Sequence, residues 1–414
     1  MSRYDPTWAS LDHHATPAWV RDAKFGLFIH YSPSWYGDGE LATPDRFDPE
    51  EIVDLAATAG MRYVVFTSKH HDGFANWPSR HGTFAADTAF GTRDLVSPLA
   101  EAVRARGLRL GFYYSWLDEH DPAYPDPEGY VRDVAHAQLR ELVDLYDPDL
   151  LWGDGEWDHD AAHWDAATFA AWYYNQADER GRAVALNDRL GRDARYYYVR
   201  DEDADPKGDY WTPEHQVFDD VMATPWETCE TMHDGWGWDA EPNWRDPGDL
   251  IRLLVYVVSN NGNLLLNVGP QPDGSLSSHE RTVLREFGDW MAVNGPAIHG
   301  TRPYRPPGKD PQMVPDVDWE HPDRTWATLQ EHIDAADPVR MTRRGTTAYA
   351  IHLGDPGDTI TVSDVSLRDG GTVELLGHGS VEYDHEGRDL TIDVPAARPT
   401  DHALAFAIPL PLRG

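Results

Sequence analysis

His30 closes an apolar run, Lys24–Tyr31 (KFGLFIHY), and a second run, Arg62–Ser68, opens directly into Lys69-His70-His71-Asp72-Gly73-Phe74. A third run holds Tyr113 and Tyr114, a fourth ends in Trp152-Gly153-Asp154-Gly155, and a fifth ends in Asn187-Asp188-Arg189. Downstream, Asp209-Tyr210-Trp211-Thr212-Pro213-Glu214 adds another carboxylate. Two chemistries use such a set. In a metal-dependent hydrolase, His30, His70, His71 and Asp154 serve as ligands. In a carbohydrate site, two carboxylates cleave the glycosidic bond while neutral imidazoles read hydroxyls and aromatic rings cover apolar sugar faces. Of the 17 tryptophans, Trp77, Trp116, Trp152 and Trp211 fall near these run ends, which favours the sugar, because an indole covers a pyranose face and donates one N–H.

Each residue also has a plainer explanation. A single strand-end histidine is more often hydrogen-bonded core, Asp154 before Gly155 can start a turn, and Glu214 can cap or pair with an arginine. What unites them is the element that must carry them. The apolar runs read as strands Lys24–Tyr31, Arg62–Ser68, Leu108–Ser115, Asp149–Gly155, Ala183–Arg189 and Asn263–Pro270. Helical runs over Pro49–Gly60, Asp94–Gly107, Val131 to Leu142 and Ser277–Asn294 alternate with them. So many consecutive βα units predict a TIM-like (β/α)8 barrel over residues 1–300, whose C-terminal strand ends converge on one site. After the proline-rich stretch TRPYRPPGKDPQMVP, short alternating runs such as Thr347–His352, Thr359–Val362 and Leu390–Val394 predict an antiparallel β-sandwich over 301–414.

At 414 residues the chain can bury two cores, and its single cysteine, Cys229, excludes an intramolecular disulfide or a cysteine metal cage. The N-terminal stretch lacks an apolar signal segment and no apolar run of about 18 residues occurs, so a cytoplasmic protein is expected. Seventy-one acidic residues stand against 35 Lys+Arg, a formal net charge of −36, which disfavours nucleic acid and anionic membrane as partners. The acid is spread along the chain and lysine is confined to Lys24, Lys69, Lys207 and Lys309, which points to a salt-adapted protein; a GC-rich genome is the alternative. On the first reading, raising salt to about 1 M shortens the Debye length to about 3 Å and raises both melting temperature and activity. Thermal unfolding in KCl, against sucrose of equal osmolarity, checks this; a flat response leaves the GC-rich alternative.

The blocks KFGLFIHY, YVVFTSKHHDGFANWPS, LRLGFYYSWLDEH, QLRELVDLYDPDLLWGDGEW, WETCETMHDGWGW, NGNLLLNVGPQPDG and FGDWMAVNGPAIHGTRPY, in this order from Trp19 to about Tyr304, resemble the retaining α-L-fucosidases of glycoside hydrolase family 29. The resemblance implies Asp154 as nucleophile and Glu214, in the Thr-Pro-Glu block, as acid/base, with Glu227 in reserve. It further implies His30, His70, His71 and Tyr113 as sugar-binding positions, with Arg189 near the acid/base. Trp77 is expected to join them at the sugar. One departure stands out: the loop after His30 is short, and Glu40 and Trp35 are the candidates to replace a Glu-Trp pair that members of the family carry there. A fucoside or fucosylated oligosaccharide is then the substrate, with no metal or organic cofactor required. A glycosidase for a related L-sugar such as L-galactose, the metal-dependent hydrolase and a catalytically silent sugar-binding relative remain the alternatives.

Overall fold

The computed structural model describes residues 3–36, 41–87, 93–198, 206–318 and 320–412. Among the described residues eight strands precede residue 300: β1 Phe25–Ile29, β2 Tyr63–Lys69, β3 Arg109–Ser115, β4 Leu150–Asp154, β5 Ala185–Leu186, β6 Val217–Phe218, β7 Trp226–Thr231 and β8 Gly262–Val268. Seven form one parallel sheet in the order β5-β4-β3-β2-β1-β8-β7, and β6 lies outside it. Between β5 and β7 the wall is continued by single parallel bridges, Asn187 to Tyr210, Trp211 to Trp226 and Glu214 to Cys229. The result is a β/α barrel in which Tyr210–Glu214 serves as a short sixth stave.

The strand expected over Ala183–Arg189 shrinks to β5 for a local reason. The Asn187 side-chain amide takes over the pairing with β4, accepting the Gly153 N–H at 2.9 Å and donating to the Gly153 carbonyl at 3.0 Å. Every residue of β1, β2 and β8 is buried, as parallel strands covered on both faces require. Inside the barrel pack Phe28, Tyr63, Val65, Tyr113, Leu150, Trp152, Tyr210, Cys229 and Leu265. The layer between sheet and helices is the larger core, and it contains Trp77.

The helices start where sequence chemistry directs. Asp48 accepts the Glu51 N–H and Pro49 fills the first turn of Pro49–Thr58. Asp246 and Pro247 do the same for Pro247–Ser259, and Ser277 with Glu280 forms a capping box on Ser278–Asn294. Glu280 also accepts the Gly269 N–H at 2.8 Å, tying the end of β8 to its helix. The crossover after β3 opens in π-type turns over Pro127–Ala135 before the α-helix His136–Tyr146. No helix among the described residues is long and apolar enough to cross a membrane.

The C-terminal region adds β9 Arg302–Pro303, β10 Met313–Val314, β11 Val339–Arg344, β12 Thr347–His352, β13 Thr359–Val362, β14 Glu374–Leu375, β15 Gly379–Ser380, β16 Tyr383–Glu386, β17 Asp389–Asp393 and β18 Leu404–Pro409. A six-stranded antiparallel sheet, β15-β14-β18-β12-β11-β9, faces a three-stranded one, β13-β17-β16. Met341, Ala350, Ile360, Val362, Leu390, Ile392 and Phe406 fill the space between them. The middle of β12 is buried on both sides because Ala348 and Ala350 point into this core while Tyr349 and Ile351 join the core of the barrel layer. Trp290 donates to the Ala403 carbonyl at 2.8 Å and Arg340 to Asn260 Oδ1 at 2.6 Å, fastening sheet to barrel. The helix Pro322–Ala335 was not expected; it buries only Thr325, Leu329 and Ile333, a stripe too thin to read from the sequence. We propose a domain division at Gly300, supported by the entry of the chain into the six-stranded sheet at β9.

Candidate active site

At the C-terminal ends of the barrel strands lies a cavity of about 420 Å³ lined by His30, His70, His71, Tyr113, Trp152, Asp154, Arg189 and Glu214, among others. His30 directly follows β1, the histidine pair follows β2, Tyr113 belongs to β3, and Asp154 ends β4. Arg189 follows β5, and Glu214 sits on the short sixth stave, bridged to Cys229. Gly153 and Gly155 flank Asp154 of necessity. A Cβ on Gly153 would lie 2.6 Å from the Arg189 carbonyl, and Gly155 has φ +70° with Ser115 Oγ 2.7 Å from where its Cβ would be.

One guanidinium joins the two carboxylates. Arg189 Nη1 donates to Asp154 Oδ1 at 2.5 Å and Nη2 donates to Glu214 Oε2 at 2.8 Å. Arg189 is itself fixed, since Nε donates to Thr212 Oγ1 at 3.1 Å and the guanidinium lies 4.2 Å from the Trp152 ring centroid. Tyr113 donates its hydroxyl to Asp154 Oδ2 at 2.8 Å. Burial alone would push the Asp154 carboxyl up, but the Arg189 guanidinium above all, with Arg195 beyond it, outweighs burial and holds it well below the usual range. Asp154 is therefore an anion at any working pH.

The histidines are neutral. Burial drives His30 down to about 3 and lowers His70 and His71 as well. Asn267 donates its amide N–H to the Trp236 carbonyl, so its Oδ1 accepts from His30 Nδ1 at 2.7 Å, and His30 Nε2 keeps a lone pair. Likewise Ser115 Oγ donates to the Leu117 carbonyl and accepts from His71 Nδ1 at 2.7 Å. His71 Nε2 and Asp154 Oδ2 then face each other as two acceptors 3.7 Å apart, a gap that a ligand hydroxyl can fill as donor. His70 lies parallel to Tyr113 at 5.2 Å, and Trp35 meets His70 edge-on at 4.9 Å.

Within the His-His block, labour is divided. Lys69 is fully buried, 3.0 Å from Asp118 and donating to the Tyr130 hydroxyl at 2.7 Å, while Asp72 accepts from Ser32 at 2.6 Å and from Ser34. These two residues shape the loops; His70 and His71 face the cavity.

Two expectations meet a different outcome. Trp77 is not in the cavity: it is buried between sheet and helices and donates its indole N–H to Glu141 at 2.9 Å. Glu227 is not in the cavity either. It points into the barrel interior, where Tyr63 donates to it at 2.5 Å and Trp152 at 2.9 Å, so it cannot reach a glycosidic oxygen. Glu40 lies outside the described residues. Conversely, Trp157, Arg195, Tyr197, Tyr198 and Trp236 line the cavity without having been singled out; only their clustering in GEW, RYYY and GWGW marks them in the sequence. Among the described residues no three His, Cys, Asp or Glu side chains gather as a metal shell. Asp154 spends its oxygens on Arg189 and Tyr113 instead.

Glu227 has a measurable consequence. Burial lifts its carboxyl to about 7 despite the donors from Tyr63 and Trp152, whereas in the unfolded chain it titrates at about 4.3. Between these values the folded state holds a proton that the unfolded state has released, so stability falls as pH rises from about 4.5 to about 7. Glu227→Gln removes this titration. The stability of the variant relative to wild type should improve by about 2–3 kcal/mol from pH 5 to pH 8. Urea unfolding at the two pH values measures it, and a pH-independent difference would refute a neutral Glu227.

The profile of the family described as alpha-L-fucosidase matches residues 1–40 and 34–296. Human tissue α-L-fucosidase is 30% identical over an alignment covering 100% of this chain and 92% of that one. An α-L-fucosidase of the lancelet Branchiostoma floridae is 33% identical over 73% of this chain and 76% of its own. The structure of Thermotoga maritima α-fucosidase in complex with fucose superposes with a TM-score of 0.73 at 29% identity, covering 98% of this chain and 100% of that one. With a cavity of this construction on this barrel, and these relatives along nearly its whole length, the chain belongs to the α-L-fucosidase family of glycoside hydrolases, family 29.

Proposed function

We propose that the enzyme is a retaining exo-α-L-fucosidase, with Asp154 as nucleophile and Glu214 as acid/base. The observation that carries this reading is the shared guanidinium: Arg189 binds Asp154 and Glu214 at once, inside a cavity at the small end of the ligand-pocket range of about 300–1,000 Å³. Such a space suits one sugar ring, hence removal of a terminal residue. Phe28, Trp152 and Trp236 in its lining favour a sugar with a methyl group over one with a hydroxymethyl, because an unpartnered buried hydroxyl costs about 1–3 kcal/mol.

In the first step Asp154 attacks the anomeric carbon while protonated Glu214 gives its proton to the departing glycosidic oxygen. Asp154 loses its charge in forming the ester, and Glu214 gains one in releasing the proton. The negative charge thus crosses from one side of Arg189 to the other and the cluster charge is unchanged, so the guanidinium stabilises both ends of the step without reorganising. In the second step the Glu214 carboxylate takes a proton from water, the oxygen attacks the anomeric carbon from the vacated face, and Asp154 is released. Tyr113 keeps the attacking carboxylate in orientation, and the Nε2 lone pairs of His30 and His71 accept from sugar hydroxyls. Two inversions give net retention. Proton NMR of aryl α-L-fucoside hydrolysis should show the α-anomer first, with turnover unaffected by EDTA; an initial β-anomer would exclude double displacement.

A further inference from the structure

The cavity that suits one sugar ring leaves the rest of a fucosylated substrate to cross its rim, and the two sides of the mouth are not alike. On one side Trp157 and Tyr198 line the cavity and yet are 36% and 38% exposed, two of the few large hydrophobic side chains at the surface of the described residues. On the other side Trp35, Tyr36 and Trp238 line a separate hollow that includes neither carboxylate. The leaving group must lie within hydrogen-bond reach of the acid that protonates it, so the position of Glu214 decides between the sides. Arg195 Nη2 is 3.7 Å from Glu214 Oε2, and the same guanidinium lies 5.6 Å from the ring centroids of both Tyr197 and Tyr198. Arg192 flanks Tyr198 at 5.7 Å. Trp157 stands three residues beyond Asp154 and meets His71 edge-on at 5.0 Å, so its ring borders the nucleophile's end of the cavity. Acid, nucleophile and exposed rings therefore share one side of the mouth.

We infer that Trp157 and Tyr198 form the binding platform for the leaving group, and that this group is a hexopyranose packed by an apolar face on Trp157 with Tyr198 as the flanking wall. The inference rests on the fucosidase reading of the cavity. Arg195 is then a positioning residue, holding the Tyr197–Tyr198 pair at a set distance from Glu214 while Glu156, buried behind it, accepts from Nη1 at 3.1 Å. An aromatic surface suits a pyranose for the same reason it suits other rings: a wide apolar contact with little side-chain entropy to lose.

The test compares two substrates on each variant: 2-O-α-L-fucosyl-D-galactose, whose leaving group is a pyranose, and α-L-fucosyl fluoride, whose leaving group touches no platform. The readout is the ratio of their kcat/KM values, which cancels any effect on the fucose cavity common to both. Trp157→Ala should lower the ratio about tenfold and Tyr198→Ala about fivefold, with Trp157→Phe close to wild type. Trp238→Ala, on the far hollow, should leave the ratio unaltered. Ratios within about twofold of wild type in both Trp157→Ala and Tyr198→Ala, or an equal fall in Trp238→Ala, would overturn the platform while leaving the fucosidase reading intact. A wild-type enzyme inactive on both substrates would overturn the reading of the cavity, and the platform with it.

Discussion

Asp154→Ala should lose at least about 10⁴-fold in kcat/KM on every fucoside, because among the described residues no other carboxylate lining the cavity can take its place. Glu214 is the second carboxylate there, on the other side of Arg189, and the proposed acid role already occupies it. The lesion has a second signature. Asp154 is buried and charge-paired, so its removal leaves Arg189 Nη1 without its anion and costs about 1–3 kcal/mol of stability. Azide is small, anionic and nucleophilic, and the vacated space lies against that guanidinium. It should restore turnover in part, raise the melting temperature of the variant but not of wild type, and yield a β-configured fucosyl azide. Near-native turnover of Asp154→Ala without azide would refute the nucleophile assignment outright.

Glu214→Ala should divide substrates by leaving group. A fucoside whose leaving group is an alkoxide needs the proton and should slow by about 10²–10⁴-fold. A fucoside with an activated phenol, such as 2-chloro-4-nitrophenyl, leaves without help and should lose less than about tenfold in the first step. Equal losses on both classes would make Glu214 a binding residue only. Glu227 could not then inherit the role, since it is held by Tyr63 and Trp152 inside the barrel, away from the cavity.

Much of this site is legible along the chain because a β/α barrel imposes a simple rule: apolar runs end at the site. His30, His70, His71, Tyr113, Asp154 and Arg189 each lie in or just after a buried run, and all six reach the cavity. Trp77 breaks the rule because it follows β2 in sequence but turns outward, where Glu141 on a later helix receives its N–H. Nothing in ANWPS announces that turn. Glu227 fails in the opposite sense. It lies at the start of its strand rather than the end, so it faces the middle of the barrel, and the bounds of β7 could not be read from a run as polar as WETCET.

By itself, then, the sequence determined the order of strands and helices, the residue types at the strand ends, the acidic surface and the family blocks, since all of these follow from periodicity and local composition. Tertiary structure decided what depends on distance across the chain. It made one arginine serve two carboxylates 60 residues apart in sequence, Asp154 and Glu214. It set Lys69 and Asp72 to building loops while their neighbours His70 and His71 face the cavity, and it gathered Trp157, Arg195 and Tyr198 around the cavity that holds Asp154 and Glu214. The physical reason is that charge, neutrality and reach are set by burial and by partners, which here come from different strands. Asp154 keeps its charge in a buried site because Arg189 and Arg195 face it, and burial keeps the histidines neutral to a lower pH than a free imidazole.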